Sequence, residues 1–124
     1  MSMLYYDRFV YFILDAERNA VKIGKTYNLQ SLKRRQVALQ MGNPTQLLLV
    51  GLVECHARTY THTYYYAKEF RGMLKGGHRI LGYTDLESTL HERFSTLHIR
   101  GEWFRYEGEL KQFIQSSNVA PKEV

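Results

Sequence analysis

Tyrosine, lysine, arginine, glutamate and histidine recur along this chain in an order that suits metal-assisted cutting of a phosphodiester bond. The marks run Phe9-Val10-Tyr11-Phe12-Ile13, then Lys22-Ile23-Gly24-Lys25-Thr26, then the pair Arg34 and Arg35. Glu87-Ser88-Thr89-Leu90-His91 and Gly101-Glu102-Trp103-Phe104 follow. Such a reaction needs a proton acceptor for water, positive charge on the phosphoryl oxygens and help for the leaving oxygen. A divalent ion supplies the last two together. Magnesium keeps most of its waters and takes one or two protein carboxylates, so a single glutamate is sufficient.

The elements that must position these residues are legible in outline. Phe9 to Leu14 and Val21 to Lys25 are aromatic and β-branched runs, read as two strands of a hairpin around the polar turn Asp15–Asn19. Gly24 falls at the end of the second strand, where the chain must bend or approach a ligand closely. Asn28 or Ser31 can cap a helix running to Met41, with Gly42-Asn43-Pro44 as its stop. Leu29, Leu32 and Leu39 share one face at about 100° per residue, Arg35 lies on its border and Arg34 lies well away. Gln46 to Glu54 reads as a central strand.

From Leu86 a helical period aligns Leu86, Leu90, Phe94 and Leu97, with Glu87 and His91 four apart on its rim. Gly101 to Phe104 reads as a turn or short strand. A last helix from Gly108 buries Leu110, Phe113 and Ile114, and a polar tail follows from residue 116. The fold class expected is a small α+β domain, with a three-stranded mixed or antiparallel sheet flanked by helices.

Residues 55–83 stand apart as an insertion, with a short helix expected near Tyr65–Leu74. It interleaves Tyr60, Tyr64, Tyr65, Tyr66 and Tyr83 with Arg58, Lys68, Arg71, Lys75 and Arg79. Aromatics among cations suit stacking on bases and contact with phosphates, and equally a satellite apolar cluster with a solvated rim.

The chain has 124 residues and a net charge of +5, which fits one compact domain with an anionic partner. Its one cysteine, Cys55, excludes an intramolecular disulfide and a multi-cysteine zinc site. The first eight residues do not read as a signal peptide, and no apolar run is long enough to cross a bilayer. No membrane association and a cytoplasmic location are expected.

In order and spacing these marks resemble the GIY-YIG nuclease superfamily, most closely the short phage-type branch ending in Gly-Glu-Trp-Phe. The resemblance covers Phe9 to Ile114 outside the insertion. It implies a divalent-metal-dependent endonuclease acting on DNA, with RNA left open, in a phage or mobile-element setting. Phe9-Val10-Tyr11 matches the first triplet and Lys22-Ile23-Gly24 the second, with Lys22 where a tyrosine usually stands. Arg35 matches the helical arginine, with Arg34 left open by a slightly longer approach, and Glu87 matches the metal-binding glutamate. Leu39 stands where a histidine or tyrosine is frequent, and the late asparagine of many members has no counterpart.

On that resemblance Tyr11 would take the proton from water, helped by Lys22, because an unperturbed tyrosine titrates near pH 10. Arg35 would grip the phosphate through its planar fork, Glu87 would hold magnesium or manganese, and His91 would act as proton shuttle or metal-shell partner. Lys25, Arg34 and the basic residues of the insertion would contact nucleic acid. Gly24, Trp103 and Phe104 would be structural, the last two closing the core around the final helix.

Each residue also has a plainer reading. Tyr11 can be strand packing, Lys22 and Lys25 solvated strand residues and Arg35 a helix-edge arginine with a packed stem. Glu87 completes Thr84-Asp85-Leu86-Glu87, a capping pattern in which the glutamate binds its own first turn. Two other functions remain open: a nucleic-acid-binding module of the same fold without turnover, and a protein-interaction factor. A single small domain has little surface for site selection, so a homodimer is an open expectation.

Overall fold

The computed structural model describes residues 9–26, 28–54, 56–58, 63–65, 79–80, 86–116 and 121–124. The chain order is β1 (Phe9–Asp15), β2 (Ala20–Thr26), α1 (Leu29–Met41), β3 (Leu48–Glu54), β4 (His56–Arg58), β5 (Thr63–Tyr65), β6 (Arg79–Ile80), α2 (Leu86–Arg93), β7 (His98–Arg100), β8 (Trp103–Arg105), α3 (Gly108–Gln115) and β9 (Lys122–Glu123). A 3-10 turn, Ser95–Leu97, joins α2 to β7. The class is α+β, as expected, but the sheet is larger: six antiparallel strands in the order β7-β8-β2-β1-β3-β9.

The extra strands extend the three expected ones. The Gly101 turn folds back into the β7–β8 hairpin, which lies along β2 with Lys22 opposite Trp103. The expected polar tail returns as β9 along β3, and Val124 N–H donates to the Leu47 carbonyl at 3.0 Å. Within the expected insertion, β4, β5 and β6 form a second antiparallel sheet, so Tyr65 belongs to a strand. Most of the helix expected near Tyr65–Leu74 lies outside the described residues, as do Lys68, Arg71, Lys75 and the Thr84-Asp85 part of the capping pattern.

Alternation along the strands gives the sheet two apolar faces. Val10, Phe12, Val21, Ile23, Val50 and Val53 face α2 and α3, where Leu90, Phe94, Phe104, Leu110, Phe113 and Ile114 complete one core. Tyr11, Ile13 and Leu49 face the other way and pack with Leu32 and Leu47 on the side of α1. Asn28 caps α1, its Oδ1 accepting from Ser31 N–H at 2.8 Å. Leu29, expected on the apolar stripe, is 55% exposed, and Leu32 is the buried residue of this helix.

Asp15 ties the hairpin turn to the segment after α1. Its carboxylate receives the Arg18 guanidinium at 2.6 Å and the Thr45 hydroxyl at 3.4 Å. Burial works to raise the Asp15 pKa, but hydrogen bonds from the Arg18 side chain and backbone and from Asn43, with the Arg18 charge, hold it below the ordinary carboxylate value. The stabilisation is therefore complete above the unfolded value near pH 3.9 and fades as pH falls through the lower folded value. Asp15→Asn should destabilise the protein by about 1–3 kcal/mol at neutral pH. In denaturant melts that difference should shrink towards zero in strong acid; a pH-independent difference would remove the role of the carboxylate charge.

Candidate active site

The site starts from the pairing of β1 with β2, which sets Tyr11 opposite Gly24. Tyr11 is fully buried, and its ring lies so close over Gly24 that a side-chain carbon there would overlap Tyr11 Cζ and Oη. Glycine stands at this position because of a neighbouring ring; Gly24 lies inside β2 rather than at its end, and what approaches it is Tyr11. Lys22, two residues away on the same face, lines a cavity of about 260 Å³ with Tyr11, Arg35, Ala38 and Leu39. Lys25 alternates to the opposite side of β2, away from this cavity.

Helix α1 supplies the arginine. Arg35 lines the cavity, whereas Arg34 borders a separate surface depression with Gln30, Lys33 and Val37. The Tyr11 hydroxyl is buried and makes no hydrogen bond of good geometry among the described residues. The Arg35 guanidinium beside it acts by charge and through a looser polar contact. Burial raises the Tyr11 pKa above its ordinary value, Arg35 opposes this, and the charges of Glu102 and Glu87 add to the rise. Lys22, the cation expected to assist Tyr11, is engaged elsewhere: its ammonium donates to Glu102 Oε1 at 2.6 Å.

Glu102 is the residue that sequence reasoning missed. Its carbonyl accepts from Ile23 N–H at 2.9 Å while its carboxylate holds Lys22, so backbone and side chain together seat it beside β2. Burial works to raise its pKa, but the Lys22 hydrogen bond, a hydrogen-bonding contact with Glu87, and the charges of Lys22 and His91 bring it below the usual value. The only signal available was its place directly before two aromatics in the Gly-Glu-Trp-Phe run.

Glu87 lies in the first turn of α2 and is 7% exposed. His91, one turn on, places Nε2 at 3.0 Å from the Ile23 carbonyl and packs its ring 4.9 Å from that of Phe104. Nε2 therefore donates to the backbone of β2, which ties α2 to the strand carrying Lys22. Phe104 joins the core against α3, as expected, but Trp103 does not. It is partly exposed and lines an open cavity on the Lys22 side of the sheet. Arg58 and Arg79 lie on strands of the small sheet.

Among the described residues no group of three or more histidine, cysteine, aspartate or glutamate side chains could hold a metal. The two neighbouring carboxylates, Glu87 and Glu102, fit an ion such as magnesium that keeps most of its own waters. No described helix is long and apolar enough to cross a membrane.

Fold and site together define a small α+β domain with a tyrosine, two cations and two carboxylates gathered around the central strands β1 and β2. The T5orf172 domain model matches residues 8–118, and the chain belongs to the T5orf172 domain family. This domain occurs in phage and mobile-element proteins and is associated with GIY-YIG-like and HNH nucleases. No curated protein and no solved structure matches the chain significantly.

The contact of Tyr11 with Gly24 has a measurable consequence. Gly24→Ala should destabilise the fold by about 1–3 kcal/mol through overpacking. In the Tyr11→Ala background the same change should cost much less, because the ring it strikes is gone. Strict additivity in a double-mutant cycle would show that the two residues do not oppose one another.

Proposed function

We propose that the chain is a divalent-metal-dependent endonuclease that hydrolyses DNA phosphodiester bonds in the cavity between β2 and α1. The observation that carries this reading is the convergence of Tyr11, Lys22 and Arg35 on one cavity, with the carboxylates of Glu87 and Glu102 acting on Tyr11. Family membership supports a nuclease or DNA-binding role, and the +5 charge suits a polyanion.

In this reading the Arg35 guanidinium holds the scissile phosphate and favours the ionised form of Tyr11. Tyr11, which lines the cavity, accepts the proton of the attacking water in its ionised form. Lys22, held by Glu102, offsets negative charge gathering on the phosphoryl oxygens. Glu87, with Glu102 beside it, would hold magnesium or manganese, which when bound supplies charge neutralisation at the phosphate and leaving oxygen. His91 fixes α2 against β2, which keeps Glu87 in register with Lys22.

A second reading, a DNA-binding module without turnover, draws on one observation: Tyr11 is held protonated by burial and by the two glutamates. Supercoiled plasmid incubated with magnesium, manganese or EDTA separates them. Metal-dependent nicking that falls by about 10²-fold or more in Glu87→Ala and Arg35→Ala is expected. Salt-sensitive retardation of the plasmid with no nicking would select the binding module. If Tyr11 is the base, its raised pKa should make the cleavage rate climb with pH through the alkaline range. Tyr11→Phe should lower the rate by about 10²–10⁴-fold and abolish that climb; an unchanged profile would assign the base elsewhere.

A further inference from the structure

A second cavity, of about 600 Å³, lies on the same side of the sheet as the catalytic one. Its walls are the β1–β2 turn with Asp15 and Arg18, the segment after α1 with Asn43 and Pro44, and the β7–β8 hairpin with Ile99, Arg100 and Trp103. We propose that it is a nucleobase subsite. It would take one unpaired base of a strand whose adjoining phosphate lies at Arg35 and Lys22. The proposal rests on the endonuclease reading for its substrate class, and on the following geometry for its place.

The two cavities succeed one another along shared elements. Trp103 is the register partner of Lys22, which lines the first cavity while Trp103 lines the second. On β2, Ala20 in the second cavity and Lys22 in the first are two residues apart, about 7 Å along the strand. Leu39 on α1, in the first cavity, and Gly42 directly after the helix, in the second, are three residues apart. That offset is the scale on which a base sits from a neighbouring phosphate of the same strand.

The lining has the chemistry of a stacking site. Trp103 offers a large, partly exposed indole, and Ile99, 51% exposed, extends the apolar wall. Arg100 is exposed and makes no ion pair among the described residues, so it stands at the rim as a cation for a flanking phosphate. The polar groups of the floor are already committed: Asp15 to Arg18 and Thr45, and Asn43 Oδ1 to Thr45 N–H at 3.0 Å and to the Thr45 hydroxyl at 2.9 Å. Recognition here should therefore come from stacking rather than from hydrogen bonds to base edges, and should tolerate any base. A base inside a duplex has both faces covered, so the subsite selects frayed, single-stranded or extruded nucleotides.

The chain provides its own reporter, since Trp103 is its one tryptophan. In EDTA, to prevent cutting, the full chain is titrated with a single-stranded oligodeoxynucleotide and with a fully abasic strand of equal length and charge. Quenching of Trp103 emission by oligo-dT and oligo-dA alike, and not by the abasic strand, is expected. Trp103→Phe should keep the affinity, Trp103→Ala should weaken it about ten-fold, and Arg100→Ala should weaken it in a salt-dependent way. Equal responses to intact and abasic strands, or binding of the intact strand with no change in Trp103 emission, would overturn the subsite. Plasmid nicking without quenching removes the subsite and leaves the nuclease reading; base-dependent quenching without nicking does the reverse. Failure to bind either strand overturns the subsite.

Discussion

The contact between the Tyr11 ring and the bare backbone of Gly24 constrains most of what surrounds it. An aromatic ring on a central strand can come this close to its neighbour only where that neighbour lacks a side chain. With the ring in that place, the Tyr11 hydroxyl is buried against Gly24 and feels the charges of Arg35, Glu102 and Glu87. The hairpin register that opposes Tyr11 to Gly24 also opposes Ile13 to Lys22. Tyrosine and lysine thereby reach one face through strand alternation alone.

The charged groups are then held by elements from both sides of the sheet. Helix α1 delivers Arg35, helix α2 delivers Glu87, and the edge hairpin β7–β8 delivers Glu102 to Lys22. The Lys22–Glu102 pair is partly shielded, its side chains 16% and 38% exposed, which makes it more than a solvent-screened surface pair. It orients the Lys22 ammonium at the cavity that the buried phenol also lines. The same hairpin turns Phe104 into the core against α3 and Trp103 outward to the opposite face. One short strand thus joins the hydrophobic core to the polar site.

Much of this was legible in the chain. The β1–β2 hairpin, α1 and α3 announced themselves through apolar period, turn residues and the Asn28 cap, and the border position of Arg35 followed from helical geometry. The short outer strands β7, β8 and β9 did not, because two or three residues carry no measurable alternation and owe their conformation to pairing with their neighbours in the sheet. Trp103 was misplaced for that reason: only the register with Lys22 reveals which side it faces. Glu102 was passed over because a turn glutamate has no period, and its meaning comes from a lysine 80 residues earlier in sequence. Leu29 was overread from helical spacing, which cannot tell whether the sheet extends beneath the first turn.

The most direct measurement is an anomalous difference map from crystals of the chain with manganese and an uncleavable phosphorothioate oligonucleotide. A manganese peak against Glu87 and Glu102, with the modified phosphate at Arg35 and a water between that phosphate and the Tyr11 hydroxyl, is the expected result. A peak bound away from these carboxylates, or a strand that crosses the protein without approaching Arg35 and Tyr11, would contradict the assignment of this cavity as the place where the bond is cut.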